Sequence, residues 1–139
     1  MKKAILVAAI LLLVVVGCGS DDTDASGGAD TAGIRLVAAS EGAQIQADPP
    51  DGLIVLDVRT PEEFADGHLE GAMMIDFYSP DFADQLADLD PNRPYLLYCR
   101  SGNRSGQTTA IMDQLGFANV ADIDGGIVAW AEAGLPLSG

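Results

Sequence analysis

Five short apolar runs punctuate the chain from Ile34 onward, and helical patterns rather than hairpin turns separate them. This alternation is the tightest constraint on the fold. Strands joined through helices pair in parallel, so the chain reads as an α/β domain built on a mostly parallel sheet. Leu53–Val58 (LIVLDV) is apolar except for Asp57, as expected of a strand buried on both faces. Ile34–Val37, Ala72–Phe77, Pro94–Tyr98 and Asn119–Asp124 read as the other strands.

The helix signals fit between them. One helix starts near Ser40. Thr60-Pro61-Glu62-Glu63 combines a capping threonine, a proline at the first helical position and a glutamate three residues after the cap. Ser79–Leu89 places Phe82, Leu86 and Leu89 at amphipathic spacing. A helix from Arg104 to Leu115 is expected to turn Ala110, Ile111 and Leu115 inward and to stop at Gly116. Gly125-Gly126 leads into a last helix through Trp130, stopped near Gly134 and Pro136. Trp130 reads as core packing, and Met73 and Met74 as strand residues.

The N-terminus has a different character. Met1-Lys2-Lys3 precedes 13 apolar residues, Ala4–Val16, and then Gly17-Cys18. A basic start and an apolar run too short for a bilayer, which takes about 20 residues, describe a secretory signal peptide. Val15-Val16-Gly17-Cys18 resembles the lipobox of bacterial lipoproteins, which implies cleavage before Cys18 and lipidation of its thiol. The plainer alternative is an ordinary signal peptide with a chance cysteine. Ser20–Gly33 contains no large apolar residue and reads as a flexible acidic tether, about 20 Å long on average. The expected organisation is a signal peptide over 1–17, a lipidated cysteine and linker over 18–33, and one domain over 34–139.

Formal charge narrows the partners. The net charge is −14, and both lysines precede the apolar run. Beyond them, five arginines face 21 acidic residues, a balance of −16. Such a surface repels nucleic acid and anionic lipid. Two of those five arginines, Arg100 and Arg104, nevertheless lie within six residues of one cysteine in YCRSGNRSGQ, Tyr98–Gln107.

With Cys18 lipidated, Cys99 has no intrachain disulfide partner. His68 is the only histidine, too little for a zinc site, so no metal is expected. An inert buried thiol or a reactive one remains. The strand–turn–helix context places Cys99 at the carboxyl edge of the sheet, facing a helix N-terminus, where parallel sheets bind ligands. Backbone N–H groups of Arg100–Arg104, a turn at Gly102 and two arginine charges all favour thiolate over thiol. Asn103-Arg104-Ser105 also matches the glycosylation sequon, which is read as coincidence because a glycan would block the loop.

Three segments now carry a resemblance. LDVRTPEEFADGHLEGA (Leu56–Ala72), YCRSGNRS (Tyr98–Ser105) and DGGIVAW (Asp124–Trp130) together resemble the single-domain rhodanese family over nearly all of Ile34–Gly139. The resemblance implies a rhodanese-like, five-stranded sheet with helices on both faces. It implies that Cys99 takes a sulfane sulfur from a donor such as thiosulfate and passes it to cyanide or a thiol through a persulfide, with no cofactor. It also implies that Arg100, Ser101, Gly102, Asn103 and Arg104 cradle the outer sulfur. Asp57 and Arg59 are expected to organise the site through a charge pair, and His68 to shape a turn rather than act as a base. Two alternatives stand beside sulfur transfer. One is a persulfide carrier or docking module. The other is a phosphatase or arsenate reductase, disfavoured because cysteine phosphatases place an arginine after five intervening residues, where this chain has Ser105. The expected location is exported, lipid-anchored to a bacterial membrane through Cys18.

Overall fold

The computed structural model describes residues 33–139; the signal-peptide, Cys18 and most of the linker expectations lie outside them. The chain runs β1 (Gly33–Val37), α1 (Ala39–Ala47), β2 (Ile54–Asp57), α2 (Pro61–Ala65) and β3 (Met73–Met74). It continues α3 (Phe82–Ala87), β4 (Pro94–Tyr98), α4 (Asn103–Gln114), β5 (Asn119–Ile123) and α5 (Gly126–Glu132). The sheet order is β1-β5-β4-β2-β3 and every pairing is parallel. Among the described residues no helix is long and apolar enough to cross a membrane.

Strand alternation builds two cores, one on each face of the sheet. On one face Leu56, Leu97 and Val120 pack with Phe82 and Leu86 of α3 and Met112 of α4. On the other, Val55, Leu96, Tyr98, Ala121 and Ile123 pack with Ala39 of α1 and Ile127 and Trp130 of α5. The central strand β4 is buried from Tyr95 onward, as its all-apolar sequence requires. Trp130 donates its indole N–H to the Pro136 carbonyl at 2.9 Å, which folds the C-terminal segment back over the domain.

Local signals act where the sequence places them. Thr60 accepts from the Glu63 amide while the Glu63 carboxylate accepts from the Thr60 amide, the reciprocal capping box, with Pro61 opening α2. At the end of α4, Gly116 adopts φ +81°. Its N–H reaches the Asp113 carbonyl and the Phe117 N–H reaches Met112, a Schellman stop.

Three expectations need correction. The third strand is only two residues long, because β3 is an edge paired on one side with β2 alone. The helix expected from Ser79 begins at Phe82: the Ser79 hydroxyl binds the Asp81 carboxylate, and Ser79 to Phe82 forms a separate turn. In α4 the buried side chains are Ser105, Thr108 and Met112; Ile111 is half-buried, and Ala110 and Leu115 are exposed.

A buried ion pair ties the carboxyl edge together. Arg59 Nε lies 3.0 Å from both Asp57 carboxylate oxygens and its Nη2 lies 2.7 Å from Asp57 Oδ2. The same Nη2 donates to the Gly67 carbonyl at 2.7 Å, and the guanidinium sits 5.5 Å from the centre of the Tyr98 ring. Burial lowers the arginine's proton affinity, but the Asp57 hydrogen bonds and charge more than offset this and raise it overall. Both side chains are almost wholly buried, so removing one strands the other charge. Arg59→Met is therefore expected to destabilise the protein by about 3–5 kcal/mol in urea denaturation. The double change Arg59→Met with Asp57→Leu is expected to lose less than the single one.

Candidate functional site

The segment after β4 is shaped by what its peptide groups can bond. Past Tyr98 the sheet no longer pairs the chain on both sides, so the carbonyls of Cys99 and Arg100 need other donors. The start of α5 supplies them: Ile127 N–H donates to Cys99 O at 2.9 Å and Val128 N–H to Arg100 O at 3.1 Å. This contact demands glycine at position 126, which has φ +58°. A Cβ there would lie 2.4 Å from the Cys99 oxygen and 2.7 Å from two backbone atoms of Arg100.

With its first carbonyls turned to α5, the loop presents N–H groups to the Cys99 sulfur. Gly102, at φ +97° and directly before α4, donates to Sγ at 3.0 Å. Cys99 itself is 1 % exposed. Burial raises the thiol's proton affinity, but hydrogen bonds from the Ser105 side chain and from the backbone of Ser105, Gly102 and Ser101 outweigh it and pull the thiol below its ordinary value. An inert core thiol, by contrast, is raised by its apolar surroundings.

The arginines are placed less directly than their proximity in sequence suggests. Arg100 is exposed and belongs to none of the ion pairs among the described residues. Arg104 binds the Glu63 carboxylate through both terminal nitrogens, at 2.7 and 2.8 Å, and lies 5.7 Å from the centre of the Tyr78 ring. Glu63 is drawn from an ordinary 4.5 down to about 2, first by the Arg104 hydrogen bond, against burial, with help from the Thr60 amide. Arg104 in turn feels the Cys99 charge only after the stronger pull of Glu63. Of the backbone N–H groups and arginine charges expected to lower the thiol, the hydrogen bonds are the larger contribution. Ser101 is exposed and its backbone helps to lower the thiol's proton affinity, and Asn103 accepts from the Gln107 side chain at 3.0 Å.

Asp57 and Arg59 sit at the end of the neighbouring strand, Asp57 in register with Tyr98, and brace the site from behind. His68 stacks on Phe64 at 3.9 Å, and its Nδ1 lies 3.0 Å from the Phe64 carbonyl. That fits the turn-shaping role. Among the described residues no three His, Cys, Asp or Glu side chains form a metal-binding group.

Two residues escaped the sequence reading. Ser105 was weighed only as the position where a phosphatase would carry arginine, yet its fully buried side chain helps to hold the thiol down. Asp122 is the other: a carboxylate buried on β5 beneath α4. An acidic residue inside the apolar run NVADI was the available signal for it.

Comparison with known proteins agrees with this architecture. The rhodanese-like domain family matches residues 38–133. A sulfurtransferase from Allochromatium vinosum is 38% identical over 91 residues, covering 66% of this chain and 82% of that protein. Thiosulfate sulfurtransferase 16, chloroplastic, from Arabidopsis thaliana is 40% identical over 91 residues, covering 58% and 76%. The crystal structure of a rhodanese-related protein from Thermoplasma volcanium superposes with a TM-score of 0.65 at 29% identity, covering 75% of this chain and 97% of that one.

Gly126→Ala tests the loop geometry. Combined backbone strain and clash are expected to lower Tm by about 10 °C. Loosening the cradle should also slow iodoacetamide alkylation of Cys99 at pH 7, read by peptide mass spectrometry so that Cys18 is counted separately.

Proposed function

Because the chain belongs to the rhodanese-like domain family, we propose that it is a sulfurtransferase whose Cys99 carries the transferred sulfur as a persulfide, with thiosulfate or a similar anion as donor. The family and the named relatives support sulfurtransferase activity in general. The observation that carries the finer reading is the Gly102 N–H 3.0 Å from Sγ at the start of α4, where Ser105 and Ser101 also draw the thiol down.

The chemistry follows from that placement. The Cys99 thiolate attacks the outer sulfur of thiosulfate. A Cys99 S–S bond forms, the sulfur–sulfur bond of thiosulfate breaks, and sulfite leaves with the electron pair. The persulfide's outer sulfur bears the negative charge, which the loop's N–H groups and the helix dipole can hold in place of the original thiolate. A thiophile such as cyanide then attacks that outer sulfur, thiocyanate departs and the Cys99 thiolate is restored. This is covalent catalysis in two half-reactions, and no proton need be supplied to the leaving sulfite. Arg100, exposed in a chain of net charge −14, is the cation available to draw a dianion to the mouth. Arg104 and its Glu63 partner stiffen the rim.

The proposal also includes export. Met1-Lys2-Lys3, the apolar Ala4–Val16 and Gly17-Cys18 support a lipoprotein signal peptide over 1–17 with the lipid on Cys18. Residues 18–33 would then tether the domain at a bacterial membrane surface.

One preparation tests both parts. The chain is expressed with its leader in a bacterium, extracted from membranes, and its intact mass is taken before and after thiosulfate. The expected result is a mature chain beginning at a lipid-modified Cys18. It should gain about 32 Da on exposure to thiosulfate, lose it to cyanide, and show no gain in Cys99→Ser. One sulfur loaded without saturable turnover would mark a carrier instead of an enzyme. No adduct from thiosulfate or a thiol persulfide would overturn the sulfur-transfer reading, and an unmodified Cys18 would overturn the anchor.

A further inference from the structure

Beneath the cradle lies a carboxyl that the reaction above does not use. Asp122 is 2 % exposed, and its Oδ1 has no hydrogen-bond partner. A buried carboxylate oxygen without a donor is costly, and such groups are uncommon outside sites where they act. Strand pairing places Asp122 opposite Leu97 of β4 and Leu36 of β1. Alternation puts it on the face it shares with Val120, under α4. Above it stands Ser105, in the first turn of α4 and itself fully buried.

The Ser105 hydroxyl has one proton, and its contact with the Gly102 carbonyl is long, 3.3 Å. The Ser105 side chain lowers the proton affinity of both the buried Cys99 thiol and the buried Asp122 carboxyl, which lie on the same face of the sheet under α4. We propose that Asp122 is a positioning residue for Cys99, its carboxyl deciding whether the Ser105 proton is turned toward the sulfur or away from it. The inference rests on the reading of Cys99 as a nucleophile.

The surroundings make the carboxyl responsive. Burial raises its proton affinity, the Ser105 hydrogen bond lowers it, and the charge of Asp124, just past the end of β5, raises it, leaving Asp122 pushed up to about 6. The facing groups are few. From α4 there are Ser105 and Thr108, whose hydroxyl is committed to the Arg104 carbonyl at 2.8 Å. From the end of β4 there is Cys99. Arg35 of β1 is in register with Ala121 and pairs with Glu41 on the opposite side of the sheet. No cation among the described residues forms an ion pair with Asp122.

The sign follows. Ionised Asp122 is the strongest acceptor within reach of Ser105, so it accepts the hydroxyl's hydrogen bond and adds a like charge near the thiolate. Both effects raise the proton affinity of Cys99. Protonated Asp122 donates instead, freeing the Ser105 proton for the sulfur and stabilising the thiolate. The two groups therefore titrate as a coupled pair through Ser105.

The test is the pH profile of Cys99 alkylation in the full-length chain, read at the Cys99 peptide, in Asp122→Asn, Ser105→Ala and the double variant. Asp122→Asn keeps the shape and removes the charge. It is expected to move the Cys99 midpoint down by about half a pH unit or more, which is about threefold in alkylation rate at a pH below both midpoints. In the Ser105→Ala background the same change should have a smaller effect. An unchanged or higher midpoint in a folded Asp122→Asn protein overturns the proposal, as does an undiminished effect without Ser105. Should Asp122→Asn not fold, the Asp122 carboxyl is titrated by carbon-13 NMR in wild type and Cys99→Ser. Coupling predicts a lower Asp122 midpoint in Cys99→Ser, and equal midpoints contradict it. Alkylation needs no sulfur donor, so failure here is distinguishable from failure to form a persulfide.

Discussion

The site depends on the direction in which one loop's peptide groups face. A loop can aim its N–H groups at a sulfur only if its carbonyls are bonded elsewhere, because each buried peptide group needs a partner. Here α5 takes the carbonyls of Cys99 and Arg100 through Ile127 and Val128. Gly126 lets the two segments approach closely enough to do so. The motif that resembles the family at Asp124–Trp130 thus has a physical purpose distant in sequence from the cysteine it serves. Parallel pairing of β4 with β5 brings the two together at the same sheet edge.

What the loop holds is a balance between burial and hydrogen bonding. Burial works against a thiolate, and donors from Ser101, Gly102 and Ser105 reverse its effect. The balance suits a charged sulfur, which the proposed persulfide would be as well as the thiolate. A surrounding frame keeps it fixed. Glu63 Oε2 accepts from Thr60 N–H and from Arg104 Nη1, so the cap of α2 is joined to the first turn of α4. Arg59 similarly joins β2 to the Gly67 turn and lies against Tyr98. Few arginines remain in this acidic chain, and two of them serve the frame rather than the sulfur directly.

Much of this was legible in the sequence because local rules and packing agree there. LIVLDV and PYLLY could only be buried strands, Thr60-Pro61-Glu62-Glu63 could cap only a helix, and Gly102 and Gly116 fall where positive φ is needed. The inward face of α4 was not legible. Apolar periodicity favours Ala110, Ile111 and Leu115, but the helix is rotated so that Ser105, Thr108 and Met112 point in. Its phase is set by the first turn, which must deliver N–H groups to Cys99, and not by its apolar residues. Ser105 and Asp122 were missed for the same reason: polarity alone reads as exposure until topology puts a residue beneath a helix. The role of Arg104 was overstated because its partner Glu63 is 41 positions away in the chain.

The central claim is that the folded cradle makes Cys99 a better acid than a free thiol. The most direct measurement is the pH dependence of Cys99 alkylation in the native full-length chain against the same residue in the urea-unfolded chain. The native midpoint is expected to lie below that of the unfolded cysteine, which is about 8.5. A native midpoint equal to or above the unfolded one would mean that burial prevails over the loop's hydrogen bonds, and it would contradict the account.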